Sequence, residues 1–187
     1  MKTRFLTRRS PSRAGVLAVG AILALTSLSL SAAAQQHLSK RYPVGQNVRI
    51  ELKNISGTVV VESWNKNEIR LSATIESKGT TITPRQINES LVVDVMSDNR
   101  GRGDVGDINF KLQVPVNSSV DLETRRGNIS VANIRSGLVR AYVSSEGDIE
   151  LTNVSASHVI AQNLIGNIFF DGEFATVDRA AVVERSP

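Results

Sequence analysis

The sequence predicts an all-β protein built as a single-stranded β-solenoid with coils of about 20 residues. Two observations carry that expectation. A short phrase recurs, in which a Gly is followed by Asn, Asp or Thr and then by hydrophobic residues at alternate positions: Gly57-Thr58-Val59-Val60-Val61, Gly127-Asn128-Ile129-Ser130-Val131, Gly147-Asp148-Ile149-Glu150-Leu151 and Gly166-Asn167-Ile168-Phe169-Phe170. The last three glycines stand 20 and 19 residues apart. In addition, no segment beyond residue 34 carries apolar residues at a helical period.

Residues 1–34 read as a secretory signal peptide. Lys2, Arg4, Arg8, Arg9 and Arg13 precede an apolar run from Ala14 to Leu30, and Ser31-Ala32-Ala33-Ala34 supplies a small-residue cleavage site before Gln35. An uncleaved anchor is the competing reading. Gly15, Gly20, Thr26, Ser27 and Ser29 weaken it. A twin-arginine signal at Arg8-Arg9 fits poorly, because Ser10-Pro11-Ser12 follows where apolar residues are expected.

Removing the signal takes five of the 22 Lys and Arg and leaves 17 against 18 Asp and Glu, a net charge of −1 over the remaining 153 residues. The basic balance of the whole chain therefore belongs to the leader and argues for no nucleic-acid partner. The chain has no cysteine, which excludes disulfides, thiolate metal sites, a Cys nucleophile and a lipid anchor on Cys. Five Asn-x-Ser sequons, at Asn54, Asn88, Asn117, Asn128 and Asn153, read as turn chemistry.

A polar lead covers residues 35–46, and the β-solenoid domain covers 47–174 with its N-terminal part a β-meander stacked on the coils. Val48, Ile50 and Leu52 alternate with Asn47, Arg49, Glu51 and Lys53, the period of a strand with one buried face. Ile69 to Ile75, Leu91 to Met96 and Ile108 to Val114 repeat the pattern, and Pro115 ends the last. From Val120 onward each coil offers two short strands meeting at a Gly corner. Val120 and Leu122, then Val159 and Ala161, precede their glycines at the same offsets. Arg140 breaks the column, and its neighbours Val139, Ala141 and Val143 point to a local register shift.

The corners need their residues, because Gly reaches positive φ without a steric penalty and Asn or Asp tolerates it better than most. Ile129, Ile149 and Ile168 form the predicted apolar spine beside Gly57, Gly127, Gly147 and Gly166. Asn133 and Asn153 stand one coil apart, either as an inward hydrogen-bonded ladder or as exposed turn residues. Residues 175–187 form an atypical tail in which the repeat breaks off, as a truncated continuation would. The exposed coil end this leaves requires a continuation, the tail or a second molecule to cover it.

These residues resemble a bacterial family of exported adhesin-like domains of unknown function, right-handed β-solenoids related to head regions of some autotransporter adhesins. Ile50 to Gly57, Val114-Pro115 with Val120 to Thr124, and the Gly127, Gly147 and Gly166 repeats carry the resemblance over roughly Val48 to Phe174. The resemblance implies a fold and an envelope setting, and it brings no catalytic residues.

Among sites, Arg102-Gly103-Asp104 is an integrin-type tripeptide in a polar loop and the one candidate binding loop. Gly101, Gly103 and Gly106 match a dinucleotide fingerprint, but a strand follows where a helix is needed. Asp98, Asp104 and Asp107 fit no calcium-loop spacing. His37 and His158 stand apart, and Asp121, Glu123 and Glu150 lie at different offsets from their glycines, with Arg125 and Arg126 as candidate partners. No catalytic constellation, cofactor site or metal site is expected. The functional expectation is an exported envelope module in the periplasm or at the cell surface, non-enzymatic, that binds a protein or glycan, adheres or scaffolds. A carbohydrate-active lyase or hydrolase on the same scaffold is the alternative, and a structural protein that self-associates through its open C-terminal coil is a third.

Overall fold

The computed structural model describes residues 36–76, 80–97 and 106–175. The signal segment, the Arg102-Gly103-Asp104 loop and the tail beyond Ala175 lie outside the described residues.

Twelve strands join in one sheet, with no helix among the described residues. In chain order they are β1 (Gln36–Pro43), β2 (Arg49–Ser56), β3 (Val59–Trp64), β4 (Glu68–Ile75), β5 (Thr80–Ile87), β6 (Ser90–Ser97), β7 (Ile108–Pro115), β8 (Ser119–Arg126), β9 (Ile129–Ala132), β10 (Arg135–Glu146), β11 (Ile149–Ile165) and β12 (Ile168–Phe174).

The pairings sort into two stacks. One runs β1-β4-β7-β3-β9-β11 with β12 added on β11, and the other runs β11-β10-β8-β2-β6-β5. The long β11 belongs to both, pairing β9 through Ile149–Thr152 and β10 through residues 155–165. The inward residues of both stacks form a single core cluster, so the sheet curls into a nearly closed barrel-like wall around one interior.

Register explains the repeat. Val59 pairs Ile129, Ile129 pairs Ile149, and Ile149 pairs Ile168, all in parallel. In the other stack Ile50 pairs Val120, Val120 pairs Val139, and Val139 pairs Val159. Parallel strands buried on one face and joined at tight corners place like residues over like, and each alternate side chain enters the core. The two bends at positive φ that matter most are Gly127 (φ 111°) and Gly147 (φ 155°). A Cβ at Gly127 would overlap the carbonyl of Gly57, and one at Gly147 would overlap the carbonyl of Gly127. Close approach of successive corners therefore excludes any side chain, independently of backbone conformation.

Stacking order departs from the expected succession of coils. β2 lies between β6 and β8, and β3 between β7 and β9. The coil at Gly57 therefore rests on β6 and β7, which come later in the chain. The N-terminal part is accordingly no plain meander: β2 and β3 join the parallel stacks, and antiparallel pairing is confined to β1 with β4, β4 with β7, and β5 with β6. The polar lead folds too, as edge strand β1.

Arg140 faces outward, while Val139, Ala141 and Val143 are buried. A register shift between Val143 and Glu146 absorbs the extra residue before Gly147.

Polar side chains lock the corners. Asn128 Oδ1 accepts from the N–H of Asp148 at 2.9 Å, and Asp148 Oδ1 accepts from the N–H of Asn167 at 2.7 Å. Asn109 does the same for Thr58 at 2.9 Å. Buried Asn54 donates to the carbonyls of Ser56 and Ile108, each at 3.0 Å. Asn133 and Asn153 both adopt left-handed φ, 61° and 52°, and Asn153 Nδ2 donates to Asn133 Oδ1 at 2.7 Å. They form a ladder contact, but at an exposed corner rather than in the core.

Candidate functional site

The sheet has two unlike ends. At the N-terminal end, edge strands β1 and β5 turn some apolar residues inward, Leu38 and Tyr42 on β1 and Ile82 on β5, all packed against the core cluster. Both strands also carry residues that resist strand addition. Lys40 lies on the same face as Leu38 and Tyr42, in register with buried Leu71, and Pro84 pairs with buried Val93. A lysine in register with a core column and a residue with no N–H both blunt an edge.

At the C-terminal end β12 is the last strand of the repeat among the described residues. Ile129 is 0 % exposed and Ile149 1 %, but Ile168, in register above them, is 46 % exposed. It keeps the register of the column but is not buried, because among the described residues no further strand covers it. The outward positions change character here as well. Ile160 stands beside Arg140 and Phe169 beside Glu150, so apolar side chains occupy places that are charged one coil earlier. Leu164 (73 % exposed), Ile165 (60 %) and Phe174 (67 %) complete the patch. Phe170 and Phe174 hold each other in a tilted contact, with ring centroids 5.5 Å apart.

Two open clefts flank this end. One, of about 550 Å³, is polar and is lined by Asn133, Arg135, Asn153, Asp171 and Glu173 among others. The second, of about 460 Å³, lies over the register shift of β10 and is lined by Tyr142, Ser144, Gln162, Leu164 and Ile168 among others.

The acids weighed as catalytic candidates do not meet. Asp121 lies on β8 and Glu150 on the first part of β11, in different stacks. Asp121 binds Arg140 at 2.8 Å and lies 4.0 Å from Arg49. Asp121 is thus held by two arginines from the strands on either side of β8. Sequence reasoning missed the pairing because Arg49 and Arg140 stand 72 and 19 residues from Asp121 along the chain and come near it only in the folded register. His37 Nδ1 lies 3.4 Å from Thr74 Oγ1, and His158 Nδ1 lies 3.4 Å from the carbonyl of Gly137. Among the described residues no group of three or more His, Asp or Glu is placed to hold a metal ion. Asp107 accepts from Ser56 Oγ at 2.6 Å, while Asp98 and Asp104 lie outside the described residues.

No family model and no curated protein sequence matches the chain. Among solved structures it is similar to a putative cell adhesion protein from Clostridium sporogenes, at 6 % identity and a TM-score of 0.39, over 75 % of this chain and 98 % of that one. It is also similar to a putative adhesin from Parabacteroides merdae, at 9 % identity and a TM-score of 0.36, over 74 % of this chain and 65 % of that one. A putative lipid binding protein from Parabacteroides distasonis follows, at 10 % identity and a TM-score of 0.31, over 75 % of this chain and 97 % of that one. At these values the likenesses assign neither family nor ligand.

Proposed function

We propose that the chain is an exported β-solenoid of the cell envelope, acting as a non-enzymatic binding, adhesion or scaffolding module for a protein or glycan of the envelope or surface. The observation that carries the reading is the uncovered last coil, where Ile168, Phe169, Phe174, Leu164 and Ile165 gather most of the large hydrophobic side chains exposed among the described residues. Exposed apolar surface of this kind, set on a rigid sheet, marks an interaction site. The Arg102-Gly103-Asp104 loop is a secondary contact on the same reading.

Export is tested by expressing the chain with residues 1–34 intact in a bacterial host, fractionating the cells and sequencing the N-terminus of the product. Recovery from the periplasm or surface with Gln35 first supports the reading, and full-length protein retained in the cytoplasm ends it. Binding is tested by incubating the purified protein with intact cells and isolated envelope glycans. Retention that is lost in a Phe169→Asp, Phe174→Asp variant of unchanged melting temperature supports the end coil as the contact.

A further inference from the structure

We infer that the uncovered end formed by β12 and the second part of β11 docks on the same end of a second copy of this chain, across a twofold axis. The inference rests on the binding-module reading and names its partner.

The asymmetry of the two ends selects this arrangement. Between Ser157 and Phe174 there is no Lys, Arg or Pro, so neither last strand carries a core-column charge or a residue without an N–H, and the charges of β12, Asp171 and Glu173, lie off the core column. A head-to-tail contact would continue the column register by laying β1 of the next copy on β12. Leu38 would then fall over Ile168 and Arg41 over Asp171, but Lys40 would fall over Phe170, with its ammonium driven into the core column. On the other stack, Pro84 would meet the second part of β11 without an N–H to donate. An exposed Arg41 to Asp171 pair is too weak to offset a buried, uncompensated lysine. A contact between like C-terminal ends meets neither obstacle.

It also covers apolar surface on both partners, whereas a head-to-tail chain always leaves one such end exposed. Ile160, Leu164, Ile165, Ile168, Phe169 and Phe174 together expose on the order of 700 Å² per copy, so a twofold pair has about 1,400 Å² available, within the range of stable interfaces. Closed twofold dimers are the commonest assembly, and their interfaces are self-complementary by construction. The charges on the edge strand are Asp171 and Glu173, both acidic. Like ends therefore repel through them, and salt relieves that repulsion while it leaves the apolar contact intact.

Sedimentation of the full chain over a concentration series, at low and at high salt, tests the inference. The expected result is a mass that saturates at two chains, with tighter association at high salt. The Leu164→Asp, Phe169→Asp double variant should weaken association by about tenfold or more, and Lys40→Glu should leave it unchanged. Both substituted residues are exposed, and unchanged far-ultraviolet circular dichroism verifies folding. Because the chain has no cysteine, single Leu164→Cys and Lys40→Cys variants supply a second measurement: mild oxidation should link the first into dimers and not the second. A monomer at every concentration, a mass that grows without limit, or a dimer indifferent to the Asp substitutions would overturn the inference. A monomer that still binds envelope material leaves the binding reading standing, while a dimer that binds none removes that reading and keeps this one.

Discussion

Asp148 sits between two coils as acceptor and donor at once: its Oδ1 takes the N–H of Asn167 at 2.7 Å, and its own N–H goes to Asn128 Oδ1 at 2.9 Å. The residues after Gly127 and Gly147 thus each bridge to the counterpart one repeat further on. This is why Asn or Asp follows Gly127, Gly147 and Gly166. Replacing Asp148 with Ala should cost about 1 kcal/mol by chemical denaturation, while Asp148→Asn, which keeps an oxygen at the same place, should cost less. Equal losses for the two variants would remove the bridge as the reason for the residue.

The glycines separate into those that touch backbone and those that do not. Gly127→Ala places a methyl group on the carbonyl of Gly57 and also forces a side chain to φ 111°, so a loss of about 3 kcal/mol or more is expected, or failure to fold. Gly137→Ala meets nothing within 4 Å and should be neutral or stabilise by up to about 1 kcal/mol. Thermal melts of the pair measure the contrast.

At the exposed Asn corner, conformation and hydrogen bonding can be told apart. Asn153→Gly keeps the left-handed φ of 52° and loses the 2.7 Å bond to Asn133, for an expected cost below about 1 kcal/mol. Asn153→Val loses both, and a β-branched residue at that φ should add about 1–2 kcal/mol more. Denaturant midpoints at constant slope are the readout.

Tyr42 gives the pH dependence. Its hydroxyl is buried without a hydrogen-bond partner among the described residues, and burial raises its pKa above the usual 10.0. The neutral form is thus favoured in the folded state. As pH climbs past 10.0 the unfolded chain loses its phenolic proton first, so the folded state loses stability from there upward to the raised folded pKa, and below 10.0 the titration of Tyr42 adds no pH dependence. Tyr42→Phe should abolish this alkaline loss and should stabilise slightly at neutral pH, because an orphaned hydroxyl is removed from the interior. Melting temperatures of the two proteins between pH 7 and 11 decide it.

Much of the wall was legible from the residues. Alternation located β2, β4, β6 and β7, the Gly phrase located the corners, and the misfit at Arg140 located the register shift in β10. β5 escaped because Pro84 interrupts its pattern, and β1 because only Leu38 and Tyr42 of its residues turn to the core. An edge strand has a single paired neighbour and little burial, so its sequence carries little of the periodicity that betrays an inner strand. The acid pairing failed for another reason: Asp121 finds Arg49 and Arg140 across parallel registers, whereas Arg125 and Arg126 are its neighbours along its own strand β8.

By itself the sequence determined that the chain is all-β, that its corners fall at Gly57, Gly127, Gly147 and Gly166, and that Ile129, Ile149 and Ile168 share one column, because side-chain alternation and the steric freedom of glycine are local properties. Only the tertiary structure decided that β2 and β3 lie between strands formed later in the chain, and that the spine is sealed at Ile129 and Ile149 yet open at Ile168. Those outcomes depend on which strand lies next to which. Strand neighbours are chosen by the burial that the whole core gains, which no window of sequence contains.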